Sequence, residues 1–505
     1  MDDMIPLQQT ADFPNPETAD HITYNPPIAD LRTFSTALET TTEFGSPSYV
    51  SDYRSRSSAQ TATAIDDTFD SDDYAVFERA TEWVNDPRND VLCVDRVVGR
   101  SEGVSAVCRL FLPKEYGRIA LAWAKLLEPS DGVEPDFVTV QLPDATDEPC
   151  IRVLPDDGVT VVLGSDYTGE AKKSFLRLFM YRAKQMGGLG LHAGSKRVRL
   201  TNANGRTREV GQLFLGLSGT GKSTLTSHGL WLDSPEGAEM LQDDVCALLP
   251  SGTAVGSEGG GLYIKTLGLD ADEQPELYEA ASAESAVLEN VAVDEDGCVH
   301  FDEPRYGRNS RAVIQRDCLT SSADDIDLER VDQIFFITRN PLMPPIAKLD
   351  ERQATAAFML GESIETSAGD PSRIGESIRV VGTNPFIIGP KGEEGNRFRD
   401  LIETLDVDCF VINTGVVGTD EPIDVGVEET VAILEGVSRG SIEWTYDDTL
   451  GLSVPSYVPG IDIGQFVVSD HVEDASDALQ TLRAERREYL SQFDTLDDDV
   501  LDSVY

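Results

Sequence analysis

FLGLSGTGKST, residues 214–224, decides the fold. Within it GLSGTGKS satisfies GxxxxGK[ST], with the apolar run GQLFLG before it and a helix-compatible run after it. That order of strand, glycine-rich loop and helix is the arrangement in which backbone N–H groups and a helix N-terminus cradle phosphates. Gly216, Leu217, Ser218, Gly219, Thr220, Gly221, Lys222, Ser223 and Thr224 are the expected nucleotide contacts. Lys222 is expected on the terminal phosphates and Ser223 on Mg²⁺. The loop by itself names no phosphate acceptor, and a glycine-rich turn that binds nothing is the bland alternative.

Around the loop, EMLQDDVCALLP, DQIFFITR and DCFVINTG read as strands, and DERQATAAFMLGESIE and GVEETVAILEGV as helices. The fold class is α/β: a P-loop mononucleotide-binding lobe, residues 200–505, with a smaller N-terminal mixed α/β lobe, residues 73–199. In that smaller lobe YAVFERATEWV and KKSFLRLFMYRAKQMG have helical spacing, while VLCVDRVVG and TVVLG read as strands. DALQTLRAERREYLSQF near the end reads as an exposed amphipathic helix. Residues 1–72, rich in Ser, Thr, Asp and Pro, are expected to be a disordered arm.

Ninety acidic residues against 41 basic ones give a net charge of -49, a surface that repels nucleic acid and anionic lipid. In salt of about 1 M the Debye length falls to about 3 Å, so crowded carboxylates stop repelling one another. The ten lysines against thirty-one arginines resemble the usage of halophilic archaea. Seven dispersed cysteines without a CxxC pair point to a reducing cytoplasm rather than a zinc or disulfide framework. The first residues lack the basic and apolar regions of a signal peptide, and no run of about 18 apolar residues offers a membrane span. The expected location is cytoplasmic, with no membrane or nucleic-acid partner.

Three further features carry chemistry. Asp243 and Asp244 follow the loop lysine at the spacing of a second metal-binding acid, one carboxylate binding a metal and its neighbour a metal-bound water. In so acidic a chain the competing reading is a surface pair. His192, inside GGLGLHAGS, is either a core residue or a ligand. Upstream, DYTGEAKKSF sets Tyr167, Glu170, Lys172 and Lys173 together in a lysine-poor chain.

In order, YTGEAKKSF, LHAGS, GLSGTGKST, DDVCA, EGGGLYIKT, EQPELYEAASAESAVLENVAVDEDG, RNSRAVI, LMPPIAKL and VINTG resemble the motif series of the ATP-dependent phosphoenolpyruvate carboxykinases, from about Arg100 to Thr430. The resemblance implies a gluconeogenic enzyme that turns oxaloacetate and ATP into phosphoenolpyruvate, ADP and CO2. It implies Lys173, His192 and Asp244 as ligands of a catalytic Mn²⁺, the lysine as neutral amine, and Ser223 in the Mg²⁺ position. Lys172 stays charged near the phosphoryl group, Arg100 (in VVGRSEG) holds a substrate carboxylate, and Tyr167 lies beside the departing CO2. Arg311 bridges substrate and γ-phosphate, a task suited to its planar fork. Ser218, Lys222, Lys265 and Thr430 complete the nucleotide side.

Some positions depart from the family pattern. GEAKK stands for GEMKK, EGGGLYIKT carries an extra residue, and Gln274 replaces an expected glutamate. After VINTG the expected basic residues are replaced by VVGTDEPIDVGVEET, which bears on the nucleoside contacts and on the choice of nucleotide. The N-terminal lobe is also short for the family. Two other readings stay open: a protein kinase of the HPr kinase/phosphorylase type, and a nucleotide-dependent binding module without turnover. Oligomeric state is not legible.

Overall fold

In a computed structural model of the chain, the described residues are 12–54, 58–132, 134–201, 205–217, 219–272, 274–364 and 377–505. They form two compact units of mixed α/β structure. One comprises Met1–Arg182 with Ser257–Thr320, the other Ala183–Gly256 with Ser321–Tyr505. These boundaries differ from the sequence positions 72 and 199, because residues 257–320 contribute strands to a sheet that also takes in residues 40–49.

The expected disordered arm is instead built into the first unit over its described residues. Ile22–Tyr24 pairs in parallel with Val91–Val98, Pro47–Tyr49 with Val287–Glu289, and Thr61–Thr63 with Cys150–Leu154. Strands of two or three residues leave no local periodicity to read; their partners lie far along the chain. The helices are legible, and Ser71–Asn85 starts at a capping box in which Asp70 accepts from the Asp73 N–H and the Asp73 side chain accepts in return. It buries Phe77, Ala80 and Val84.

A second, smaller sheet of this unit runs Gly261–Lys265, Arg311–Gln315, Val287–Glu289, Pro47–Tyr49 and Thr40–Thr41 in order. Its register sets Lys265 opposite Arg311, Arg311 opposite Glu289 and Glu289 opposite Tyr49. Directly paired residues share a face, and so do residues two apart on one strand. Tyr263, Lys265, Arg311 and Glu289 therefore form one continuous patch.

In the second unit an eight-stranded sheet has three central parallel strands, Thr207–Leu215, Gln333–Thr338 and Asp408–Asn413. Phe214, Phe335 and Phe410 lie side by side across them, stacked with centroids 5.1 and 5.2 Å apart. A slip of one residue would turn this ladder to the opposite face, so it pins the register that brings the carboxyl ends of the three strands level. The run expected as a single strand, EMLQDDVCALLP, divides into Gly237–Gln242 and Cys246–Leu248. The first pairs with Ala193–Thr201 and the second with Leu189–Leu191 in another sheet, so Asp243 and Asp244 sit where the chain changes sheets.

Helix Ala475–Leu490, expected to be exposed, buries Leu479, Leu482, Arg486 and Leu490. Arg486 is 2% exposed and donates to both Glu362 oxygens, with the closest contact at 2.7 Å; Arg379 and Asn340 donate to the same carboxylate. No helix among the described residues is long and apolar enough to cross a membrane.

Burial pushes the Glu362 carboxyl up, but the Arg486 charge and hydrogen bonds, with Arg379 and Asn340, override it and hold the pKa at about 2. A carboxyl held below its unfolded value contributes stability that is complete above about pH 4.5 and is lost as the pH falls toward about 2. Glu362→Ala should destabilise the protein by about 3 kcal/mol or more, because it leaves a buried guanidinium without its carboxylate. Urea unfolding of wild type and variant checks this, and the difference between them should shrink as the solution is acidified from pH 4.5.

Candidate functional site

The first unit gathers cations around one buried tyrosine. Tyr263 is 7% exposed, and its hydroxyl donates to Glu289 Oε2. The Lys172 Nζ lies 5.4 Å and the Arg311 guanidinium carbon 5.3 Å from its ring centroid. Lys172, 3% exposed on helix Thr168–Gln185, also pairs with Glu258 at 3.0 Å. Arg311 donates through Nε to Asn309 Oδ1 at 3.0 Å, and the Asn309 amide donates to the Tyr167 hydroxyl at 2.9 Å. Lys173 follows on the same helix, half-buried. Thus the structure brings Tyr167, Lys172, Lys265 and Arg311 together.

Arg100 is joined to this group less directly. Its guanidinium pairs with Glu128 at 2.7 Å; the preceding Gly99 N–H donates to the carbonyl of Ser257, the residue before Glu258. Burial and the charge of Glu289 raise the Tyr263 pKa well above the ordinary phenol value, so the ring remains a neutral donor.

In the second unit the loop leaves strand Thr207–Leu215 and enters helix Lys222–Ser227 through Gly219 and Gly221, with φ of 84° and 92°. Side chains with a Cβ rarely adopt those values, which explains the two glycines. Thr220 donates to the Leu217 carbonyl, and the Thr414 hydroxyl, beyond the end of strand Asp408–Asn413, donates to the Thr220 carbonyl at 2.8 Å. Ser223 and Thr224 lie in the first turn of the helix, both half-buried. Gly194 of LHAGS allows that helix to pack on its strand: an added Cβ would stand 2.3 Å from Thr226 Oγ1. Ser218 lies outside the described residues. The Thr430 hydroxyl donates to Gly426 O within its own helix at 2.8 Å.

Lys222 Nζ is 3.4 Å from Asp244 Oδ1, and His192 Nε2 is 2.9 Å from the same oxygen. The other ring nitrogen, Nδ1, faces the Thr383 carbonyl at 2.7 Å and can only donate to it. With a neutral imidazole, Nε2 then turns a lone pair toward a carboxylate, an arrangement suited to a proton or cation bound by both. Asp243 Oδ1 is buried and without a hydrogen-bond partner among the described residues, which also fits a cation. Among those residues no three His, Cys, Asp or Glu side chains gather as a ligand group.

Several residues in contact with these were given no role from sequence. Tyr263, Glu289 and Asn309 lie inside the motifs EGGGLYIKT, LENVAVDEDG and RNSRAVI, so a signal was present. Arg54, in the supposed arm, has its carbonyl bonded by Asn309 at 2.7 Å and its guanidinium 5.5 Å from the Tyr306 ring. Thr383 gave no signal. It is β-branched at φ 52°, a strained conformation that fixes the carbonyl facing His192.

Fold and residues define a mixed α/β protein with a phosphate-loop sequence and buried cations. The sequence model of the family phosphoenolpyruvate carboxykinase, ATP-dependent form, matches residues 54–463. The phosphoenolpyruvate carboxykinase (ATP) of Aeropyrum pernix is 36% identical over 406 residues, 79% of this chain and 80% of that protein. Those of Mesorhizobium japonicum and Azorhizobium caulinodans are 30% and 31% identical over 316 and 352 residues, covering 60% and 66% of this chain and 55% and 62% of theirs. This chain belongs to the ATP-dependent phosphoenolpyruvate carboxykinase family. The match begins inside the supposed arm, well before Arg100, and does not favour the protein-kinase alternative.

Beneath the loop helix, Lys196 is completely buried and donates to the carbonyls of Leu225 and, at 2.7 Å, His228, where the helix ends. Burial pulls its pKa down to about 7 from 10.5. Between these values only the unfolded chain keeps the proton, so this residue makes stability rise with pH from about 7 to about 10.5. Thermal melting of wild type and Lys196→Met across that interval should show the rise in the wild type and its loss in the variant.

Proposed function

We propose that this chain catalyses the reaction of oxaloacetate with ATP to give phosphoenolpyruvate, ADP and CO2, in the cytoplasm. The single observation that carries the reading is the cluster of Lys172, Lys265 and Arg311 around buried Tyr263 in a chain of net charge -49. Cations so placed in a surplus of acid serve an anion, and a dicarboxylate meeting a triphosphate is the anionic pair the family name implies.

In the proposed reaction the bond to the departing carboxylate breaks, its electron pair remains as an enolate, and the enolate oxygen attacks the γ-phosphorus of ATP as ADP leaves. Arg311 and Lys172 offset charge on the acceptor and the transferred group, and Arg100 holds a substrate carboxylate. Tyr167 sits beside the departing CO2, its hydroxyl oriented by Asn309. The loop 216–224, with Lys222, holds the phosphates and, with Lys265 and Thr430, the rest of the nucleotide. Water must be kept out, or the phosphoryl group is hydrolysed and the enolate protonated.

For metals, Lys173, His192 and Asp244 are the proposed ligands of Mn²⁺, and Ser223 with Asp243 those of Mg²⁺. When bound, such ions supply Lewis-acid neutralisation of charge on substrate and phosphate oxygens. The approach of His192 Nε2 to Asp244 Oδ1, and an Asp243 Oδ1 without a hydrogen-bond partner among the described residues, support these assignments. The charge of the chain supports work in concentrated salt.

The test is purified protein in concentrated KCl with Mn²⁺, Mg²⁺, ATP and oxaloacetate. Phosphoenolpyruvate is the expected product, and its absence would overturn the reading. Lys173→Met and His192→Gln should each lower turnover by about three orders of magnitude or more, the scale on which metal and transition-state contacts act. ATP affinity, read by equilibrium binding, should stay within about threefold; equal loss of both would remove the ligand assignment.

A further inference from the structure

Tyr263 occupies an unusual electrostatic position. Two side chains of the same charge, Lys172 and Arg311, lie 5.4 and 5.3 Å from its centroid, and all three come from different elements. Such cations repel one another, more strongly where water is excluded. The negative face of an aromatic ring attracts a cation without neutralising it, so it fixes position and leaves the charge available. A carboxylate in the ring's place would set a second full negative charge beside Lys172, which already pairs with Glu258 at 3.0 Å.

The ring itself is immobilised. Its hydroxyl donates to Glu289, and the same carboxylate accepts from the Thr168 backbone N–H at 3.0 Å and from Arg118 at 3.4 Å. Thr168 opens the helix that carries Lys172, while Glu289 is the cross-strand partner of Arg311. One buried side chain thus ties the ring, the lysine's helix and the arginine's strand together. Each cation has a second partner: Lys172 pairs with the Glu258 carboxylate, and Arg311 donates to Asn309 Oδ1.

Resting on the carboxykinase reading above, we propose that Tyr263 is a positioning residue whose ring face sets where the Lys172 ammonium and the Arg311 guanidinium stand, with Glu289 locking the ring. Tyr263 forms no bond to substrate; it acts through the two cations.

The test replaces residue 263 in the full-length protein with phenylalanine and its mono-, di- and trifluorinated forms. Fluorination drains the ring face of negative potential at nearly constant shape. A ring that only fills space would be indifferent to it. Log kcat/KM for oxaloacetate should fall stepwise along the series, about tenfold from Phe to the trifluoro ring, while ATP affinity and melting temperature stay at the Tyr263→Phe values. A flat series, or a fall that tracks melting temperature, overturns the proposal while phosphoenolpyruvate is still being formed. Absence of phosphoenolpyruvate from the unsubstituted protein overturns the underlying reading, and the proposal with it.

Discussion

Glu289 is a carboxylate with 4% of its surface exposed, and burying such a charge costs several kcal/mol unless donors surround it. Tyr263, Thr168 and Arg118 are those donors. Because each comes from a different part of the first unit, satisfying one charge fixes three elements at once. Asp166 extends the constraint: it accepts from Arg118 at 2.6 Å and from the N–H groups of Asp52 and Tyr53. Through it Asp52 and Tyr53 are drawn to the start of the helix that carries Lys172.

The second unit rests on a different device. Its three central strands are aligned by the phenylalanine ladder, and the phosphate loop hangs from the end of one of them. Loop and helix are then held by buried polar contacts: Thr414 on the Thr220 carbonyl, Lys196 on the last carbonyls of the helix, and Gly194 where the helix meets the sheet. Thr383 holds a strained backbone conformation, and its carbonyl orients His192.

Charge partition links these features. A chain with ninety acidic residues places Lys172 and Lys196 in its interior, at 3% and 0% exposure, where lysine is ordinarily rare. An acid surface suits concentrated salt, whereas a buried cation such as Lys172 lies largely beyond the reach of screening.

The sequence by itself determined the strand, loop and helix around 216–224, the acid pair at 243–244 and the family, because each depends on residue types at short spacing. It also carried the letters of Tyr263, Glu289 and Asn309 without their roles, since a role in a buried network depends on partners in other elements, 26 residues away for Tyr263 and Glu289, 121 for Glu289 and Thr168 and 142 for Asn309 and Tyr167. Short strands such as Ile22–Tyr24 and Pro47–Tyr49 were illegible for the same reason: a strand of three residues is stabilised by its neighbour's hydrogen bonds and not by its own pattern. Tertiary structure alone decided that the supposed arm is part of the first unit, that the acid pair marks a change of sheet, and that one tyrosine stands beside two cations. Pairing and burial are properties of the folded chain, and local composition does not encode which distant groups will meet.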